Sequence, residues 1–232
     1  MIGIILAAGM GSRCSELTKD TSKALFNFYG KPNIENNIDF LIENGCSKIY
    51  IVTGYMAEKF EYLKQIYNNI KIIYNEKYQQ YNNIYSMNLV IDYIEEDVII
   101  LEGDIVIHKK FTLPINDKDS LYVIKKRERD SKEWVPNIEN NRIKKIEVKF
   151  TQAESYIGIM YLNKKDSVTI KKEFKNYFVE DFKFLQNYWD DVYMNNLDKI
   201  NLTPYYINKD SITEIDTIDD YILAKNKTNK LI

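Results

Sequence analysis

The stretch Ile4-Ile5-Leu6-Ala7-Ala8-Gly9-Met10-Gly11-Ser12-Arg13 decides the fold. An apolar run, Gly3–Leu6, reads as a short buried strand and passes into a small, glycine-bearing turn. A single arginine follows, and Lys23 comes ten residues later. Backbone N–H groups of such a turn can close on a phosphate, because Gly9 and Gly11 carry no Cβ to hold it off. Arg13 and Lys23 would add the charge that a polyphosphate requires. The turn has neither the G-x-G-x-x-G of a dinucleotide site nor the G-K-[ST] of a P-loop. Alone, it indicates only a phosphorylated ligand.

Outward from the turn, strand-like and helix-like segments alternate. Pro32 stands near the start of a helical segment through Ile42, with Ile34, Ile38, Leu41 and Ile42 on one face. Lys48–Thr53 and Lys71–Tyr74 read as strands, and Glu58–Tyr67 and Ile84–Ile94 as helices. Val98–Leu101 is a fourth, fully buried strand ending at Glu102-Gly103-Asp104. Repeated β-α units with continuous apolar strands predict an α/β fold, a Rossmann-like, mainly parallel sheet flanked by helices. Ligands of such sheets bind beyond the carboxyl ends of the strands, where both the glycine turn and Asp104 fall. The second half differs: Leu121–Lys125, Arg142–Val148 and Tyr156–Leu162 read as strands without intervening helices. Val168–Asn196 reads as helical, Tyr205–Ile207 and Ile212–Ile215 as short strands, and a last helix starts near Ile218. We expect a single domain over residues 1–232, with a nucleotide-binding half over 1–120 and a mixed α/β lid or extension over 121–232.

Composition narrows the chemistry. The 32 Lys+Arg nearly balance 34 Asp+Glu, so no global field favours nucleic acid or an anionic membrane. No apolar run approaches a membrane span, and the N-terminus lacks the basic region of a signal peptide. Cys14 and Cys46 form neither a disulfide framework nor a metal-ligand pattern, which suits a reduced, cytoplasmic setting. Cys14 reads as an inert thiol. His108 is the single histidine, read as a surface or loop residue, so chemistry built on several histidines is excluded. The run Lys125-Lys126-Arg127-Glu128-Arg129 reads as a solvated loop.

Leu6-Ala7-Ala8-Gly9-x-Gly11-x-Arg13, with Lys23-Ala24-Leu25 and Gly30-Lys31-Pro32, resembles the nucleotidyltransferases that make nucleotide-activated sugars and alcohols. Further stretches are similar to the small bacterial CTP:phosphocholine cytidylyltransferases: Val52-Thr53-Gly54-Tyr55, Phe60-Glu61-Tyr62-Leu63, Tyr74-Asn75-Glu76-Lys77-Tyr78, Asn83-Ile84-Tyr85-Ser86, Glu133-Trp134 and Glu214-Ile215-Asp216. The resemblance covers nearly the whole chain. It departs at Ser22, where the pattern has proline before the lysine, and at Asn187, where an acidic residue is expected before Tyr188.

The resemblance implies transfer of CMP from CTP to phosphocholine or a related small phosphorylated amine or alcohol, releasing pyrophosphate. A phosphate oxygen is already ionised at neutral pH, so positioning and charge neutralisation suffice. By resemblance, Arg13 would hold the departing pyrophosphate and Lys23 the α-phosphate or incoming phosphate. The backbone of Leu6, Ala7, Ala8 and Gly9 would meet base and ribose, and Gly11 and Ser12 would line the triphosphate. Asn83 and Ser86 would be nucleotide contacts or helix caps. Asp104 and Asp216 would hold Mg²⁺, which takes one or two carboxylates and fills its shell with water and phosphate. Trp134, Asn187, Tyr188 and Glu214 would surround the acceptor, aromatic faces and a carboxylate being suited to an ammonium group. With Asn187 neutral, phosphoethanolamine, an aminoalkylphosphonate or a phosphorylated amide are alternatives. A sugar-1-phosphate nucleotidyltransferase and a non-catalytic nucleotide sensor are the competing readings. No nucleic-acid or membrane partner is implied, and monomer and homodimer both stay open.

Overall fold

A computed structural model describes residues 1–14, 16–180 and 185–230, with the backbone alone at 178–180. The strands are β1 (Ile2–Ala7), β2 (Asn27–Phe28), β3 (Lys31–Pro32), β4 (Lys48–Thr53), β5 (Ile70–Tyr74), β6 (Val98–Glu102), β7 (Ile105–Ile107), β8 (Ser120–Lys126), β9 (Ser131–Glu139), β10 (Arg142–Thr151), β11 (Glu154–Leu162), β12 (Leu202–Tyr206) and β13 (Ile212–Glu214). The α-helices are α1 (Asn33–Glu43), α2 (Leu63–Ile66), α3 (Asn83–Asn88), α4 (Lys164–Glu180), α5 (Asp190–Met194) and α6 (Ile218–Asn229).

Seven strands form the main sheet in the order β12-β8-β11-β6-β1-β4-β5. β5, β4, β1 and β6 run parallel, and β11 pairs antiparallel with both β6 and β8. β8 and β12 pair parallel, so β11 alone reverses the sheet's direction. All six residues of β1 are buried, as expected for a central parallel strand covered on both faces. Its side chains alternate between two cores. Ile2, Ile4 and Leu6 pack with Ile84 and Met87 of α3 and with Phe174, Trp189 and Tyr193. Ile5 and Ala7 pack with Ile34, Ile38 and Leu41 of α1 and with Phe60 and Leu63.

The mainly parallel α/β expectation is met, and β9–β10 forms a separate antiparallel hairpin beside the sheet. Several local readings change. Ile42 is 40% exposed, so α1 buries only Ile34, Ile38 and Leu41 of the expected face. The predicted helix Glu58–Tyr67 is a 3-10 turn, Ala57–Phe60, followed by the single turn of α2. Ile84–Ile94 breaks into α3 and a 3-10 turn at Ile91–Tyr93. The long helix expected over Val168–Asn196 is α4 and a separate α5, with 181–184 outside the described residues. Strand β9 has no counterpart among the expected elements, since its alternation is blurred by Lys132, Glu133 and Pro136.

Candidate active site

The turn after β1 lies beyond the sheet's carboxyl edge and opens a cavity of about 400 Å³. Gly11 adopts φ +64°, and a Cβ there would sit 2.9 Å from Lys23 Cγ. That position therefore requires glycine for conformation and for close approach to Lys23. Beside Gly9 the space is open to 4 Å, so a side chain would meet only a bound molecule. Gly54 and Gly103 support the turn from below: a Cβ on either would press within 3.0 Å of the Ala8 or Leu6 carbonyl.

Four charged groups converge beside this turn. Lys23 Nζ donates to Asp104 Oδ2 at 2.5 Å and to the Ile215 carbonyl at 2.7 Å. Asp216 Oδ1 lies 3.9 Å from the same ammonium and 2.6 Å from an Arg13 guanidinium nitrogen. β6 delivers Asp104, and the short β13 delivers Asp216 through its pairing with β7. Burial alone would lower the Lys23 pKa, but the adjacent Asp104 and Asp216 carboxylates outweigh it and raise it. Burial, with Glu214 and Asp104 nearby, pushes Asp216 above the usual carboxylate range despite Lys23 and Arg13. Arg13 itself is largely exposed where it lines the cavity.

Leu6, Ala7, Ala8, Gly9, Gly11, Ser12, Asn83 and Ser86 all line this cavity. Neither Asn83 nor Ser86 caps α3, whose N-cap is Asn82. Ser86 Oγ accepts from Asn75 Nδ2 at 2.9 Å. Asn83 Oδ1 accepts from the Trp189 backbone N–H at 2.9 Å, tying α3 to the start of α5. Tyr188 lines the cavity's far end, 45% exposed, and Trp134 meets its ring edge-on at 5.9 Å between centroids. Asn187 does not line it, and its amide donates to the Tyr177 hydroxyl at 3.1 Å. Glu214 is bound by Arg127 at 2.8 Å and lines a second pocket with Arg13, Arg127, Glu133 and Asp216.

The run Lys125–Arg129 is a solvated loop only in part: Lys126, Glu128 and Arg129 are exposed. Lys125 and Arg127 point inward: Lys125 donates to the Ile212 carbonyl at 2.7 Å, and burial lowers its pKa to about 8. Arg127 is buried between the carboxylates of Glu133 and Glu214, and Ser155 Oγ takes its Nε–H at 2.7 Å. His108 is not at the surface either. Its Nδ1 lies 2.7 Å from the Tyr29 hydroxyl and its Nε2 2.9 Å from Thr213 Oγ1. Burial pushes its imidazole down to about 4. Cys14 is buried and its thiol is pushed up by burial, in keeping with an inert group. Sequence reasoning passed over Glu102, which lines the cavity, and Arg127, which binds the Glu133 and Glu214 carboxylates.

The sequence model of the nucleotidyl transferase family matches residues 2–132, more than half the chain. A choline-phosphate cytidylyltransferase of Haemophilus influenzae is 37% identical over 99% of this chain and 99% of its own length. The chain belongs to the nucleotidyl transferase family. A 2-aminoethylphosphonate cytidylyltransferase of Lancefieldella rimae is 29% identical over 93% of this transferase and 88% of its own length. The solved CTP:phosphocholine cytidylyltransferase of Streptococcus pneumoniae superposes with a TM-score of 0.89 at 30% identity, covering 97% of this transferase and 98% of that chain. The transferase thus shares its fold over residues 121–232 as well as over 1–120. No helix among its described residues is long and apolar enough to cross a membrane.

Proposed function

We propose that this transferase moves CMP from CTP to a small phosphorylated amine, with phosphocholine the first candidate. One observation carries the reading: Arg13, Lys23 and Asp104 line a cavity whose near wall is the glycine turn and whose far wall is Tyr188, and Asp216 pairs with Arg13 and Lys23 from the adjoining pocket. The names of the full-length relatives, one a choline-phosphate and one an aminoethylphosphonate enzyme, support an acceptor that pairs phosphate or phosphonate with an amine.

The chemistry requires no protein nucleophile. An acceptor phosphate oxygen forms a bond to the α-phosphorus of CTP, and the bond from that phosphorus to the bridging oxygen of the β-phosphate breaks, releasing pyrophosphate. Lys23 stands at the floor of the site to neutralise the α-phosphate, and Arg13 at its mouth to hold the departing pyrophosphate. The turn backbone orients the nucleotide. Asp104 and Asp216 already share the Lys23 ammonium, which places two hard oxygen donors at one cation position. Among the described residues no group of three or more His, Cys, Asp or Glu converges, so a cation here draws its remaining ligands from phosphate and water, as Mg²⁺ does. Bound there, Mg²⁺ would supply charge for the phosphates. The two free, buried cysteines agree with a reduced cytoplasmic setting.

Pyrophosphate release, measured with each nucleoside triphosphate, Mg²⁺ and a panel of phosphorylated amines, alcohols and sugars, tests the reading. Turnover with CTP and a phosphorylated amine is expected. Turnover confined to sugar 1-phosphates would overturn it.

A further inference from the structure

The charged groups at the nucleotide end of the cavity are paired with one another, but at the acceptor end a carboxyl that lines the cavity has no basic partner among the described residues. Glu214 and Glu133 are both bound by the Arg127 guanidinium, and position 187 holds a neutral asparagine. Glu102, the last residue of β6, lines the cavity with Asn83 and Tyr188 and has no basic side chain within ion-pair distance among the described residues. Its hydrogen bond is a long one, 3.4 Å from Asn83 Nδ2.

The backbone makes room for this side chain. Gly158 of β11 adopts φ +70°, and a Cβ there would come within 3.2 Å of Glu102 Cβ and Cγ. The Trp189 indole N–H lies against the carboxyl without a hydrogen bond of normal geometry, and it is buried with no other partner among the described residues. Behind it Trp189 packs on Tyr193 at 4.8 Å between centroids, and Tyr156 stacks on Tyr122 at 4.3 Å. A carboxyl in so apolar a wall, with the Asp190 carboxyl close by, is costly to ionise on its own, and that cost is relieved when a cation arrives beside it. The Tyr188 ring, which lines the same cavity, adds an aromatic face for an ammonium group.

Resting on the function proposed above, we infer that Glu102 is the carboxylate that reads the positive charge of the acceptor, holding a quaternary or primary ammonium while the acceptor phosphate faces Lys23. In this chain Glu102 takes over the charge that Asn187 lacks and that Arg127 withdraws from Glu214.

The test compares phosphocholine with its neutral isostere 3,3-dimethylbutyl phosphate as substrates or competitors, in wild type and in Glu102→Gln. The variant is expected to raise the KM for phosphocholine roughly tenfold to hundredfold, with the isostere and CTP little changed. Discrimination between the two acceptors then collapses. An equal loss on both acceptors, or a rise confined to the KM of CTP, would overturn the inference and mark Glu102 as structural or nucleotide-binding. Should Glu102→Gln fail to fold, Glu102→Asp, which withdraws the charge by one methylene, carries the same comparison: a loss selective for phosphocholine supports the inference, and an equal loss overturns it. A wild type inactive with CTP and every phosphorylated amine would instead refute the functional reading on which this rests.

Discussion

Lys23 shows how much one side chain can be asked to do. It touches Asp104 and the Ile215 carbonyl, and its aliphatic stem packs against Gly11. Lys23→Ala should lower kcat by about 10²–10³-fold, the usual cost of one charge-stabilising donor in a transition state, while CTP affinity falls far less. Steady-state kinetics beside equilibrium CTP titration checks this. A sensor that binds without chemistry would lose affinity alone. His108 gives a prediction in stability instead. Its folded pKa, near 4, lies below the unfolded value near 6.5, so the unfolded chain takes up the proton first. Its contribution is complete above pH 6.5 and is lost as pH falls toward 4, on the order of 3 kcal/mol. Urea unfolding across that window, with His108→Gln as reference, should show a steeper fall for wild type than for the variant.

Among the elements, α6 has the clearest local code. Thr217 Oγ1 accepts from the Asp220 N–H at 3.3 Å, and Asp220 Oδ2 accepts from the Thr217 N–H at 2.8 Å, a reciprocal capping box. Asp220 Oδ2 also takes the Asp216 N–H at 3.2 Å, so the cap fixes the backbone of a site residue. Arg129 joins from the β8–β9 connection, donating to Thr217 Oγ1 at 2.7 Å. Thr217→Ala should cost about 1–2 kcal/mol in urea unfolding and raise the KM of CTP as Asp216 loosens. Elements with strong local signals, such as β1, β4, β6 and α6, were legible in the sequence within a residue or two. α2 and α5 were not. Each is a turn or so of helix held by tertiary contacts, and its apolar spacing looks like part of a longer helix.

For the whole molecule, β11 is the element that makes one body of two halves. It pairs with β6 of the first half and with β8 of the second. Ile159, Met160 and Tyr161 are fully buried within this seam. Loss of either half would expose the other's sheet edge, which should couple their unfolding. Both tryptophans, Trp134 and Trp189, lie in the second half of the chain. Their fluorescence and the far-ultraviolet circular dichroism of the whole chain should therefore report coincident urea transitions. Two separated transitions would mean that the halves are independent domains.

The sequence by itself determined the central strand, the turn after it and the charged residues that make phosphate chemistry possible. Those signals are local, because a strand, a glycine turn and an arginine just after it need nothing distant to be read. Only the tertiary structure decided which charges are satisfied. Arg127 and Glu214 are 87 residues apart, and their pairing follows from β13 crossing back beside β7, not from any spacing. Glu102 looked like the end of an ordinary strand until that pairing left it the cavity-lining carboxylate without a cation among the described residues. Electrostatic partners are set by the fold because charge acts through space, whereas the chain is read along its length.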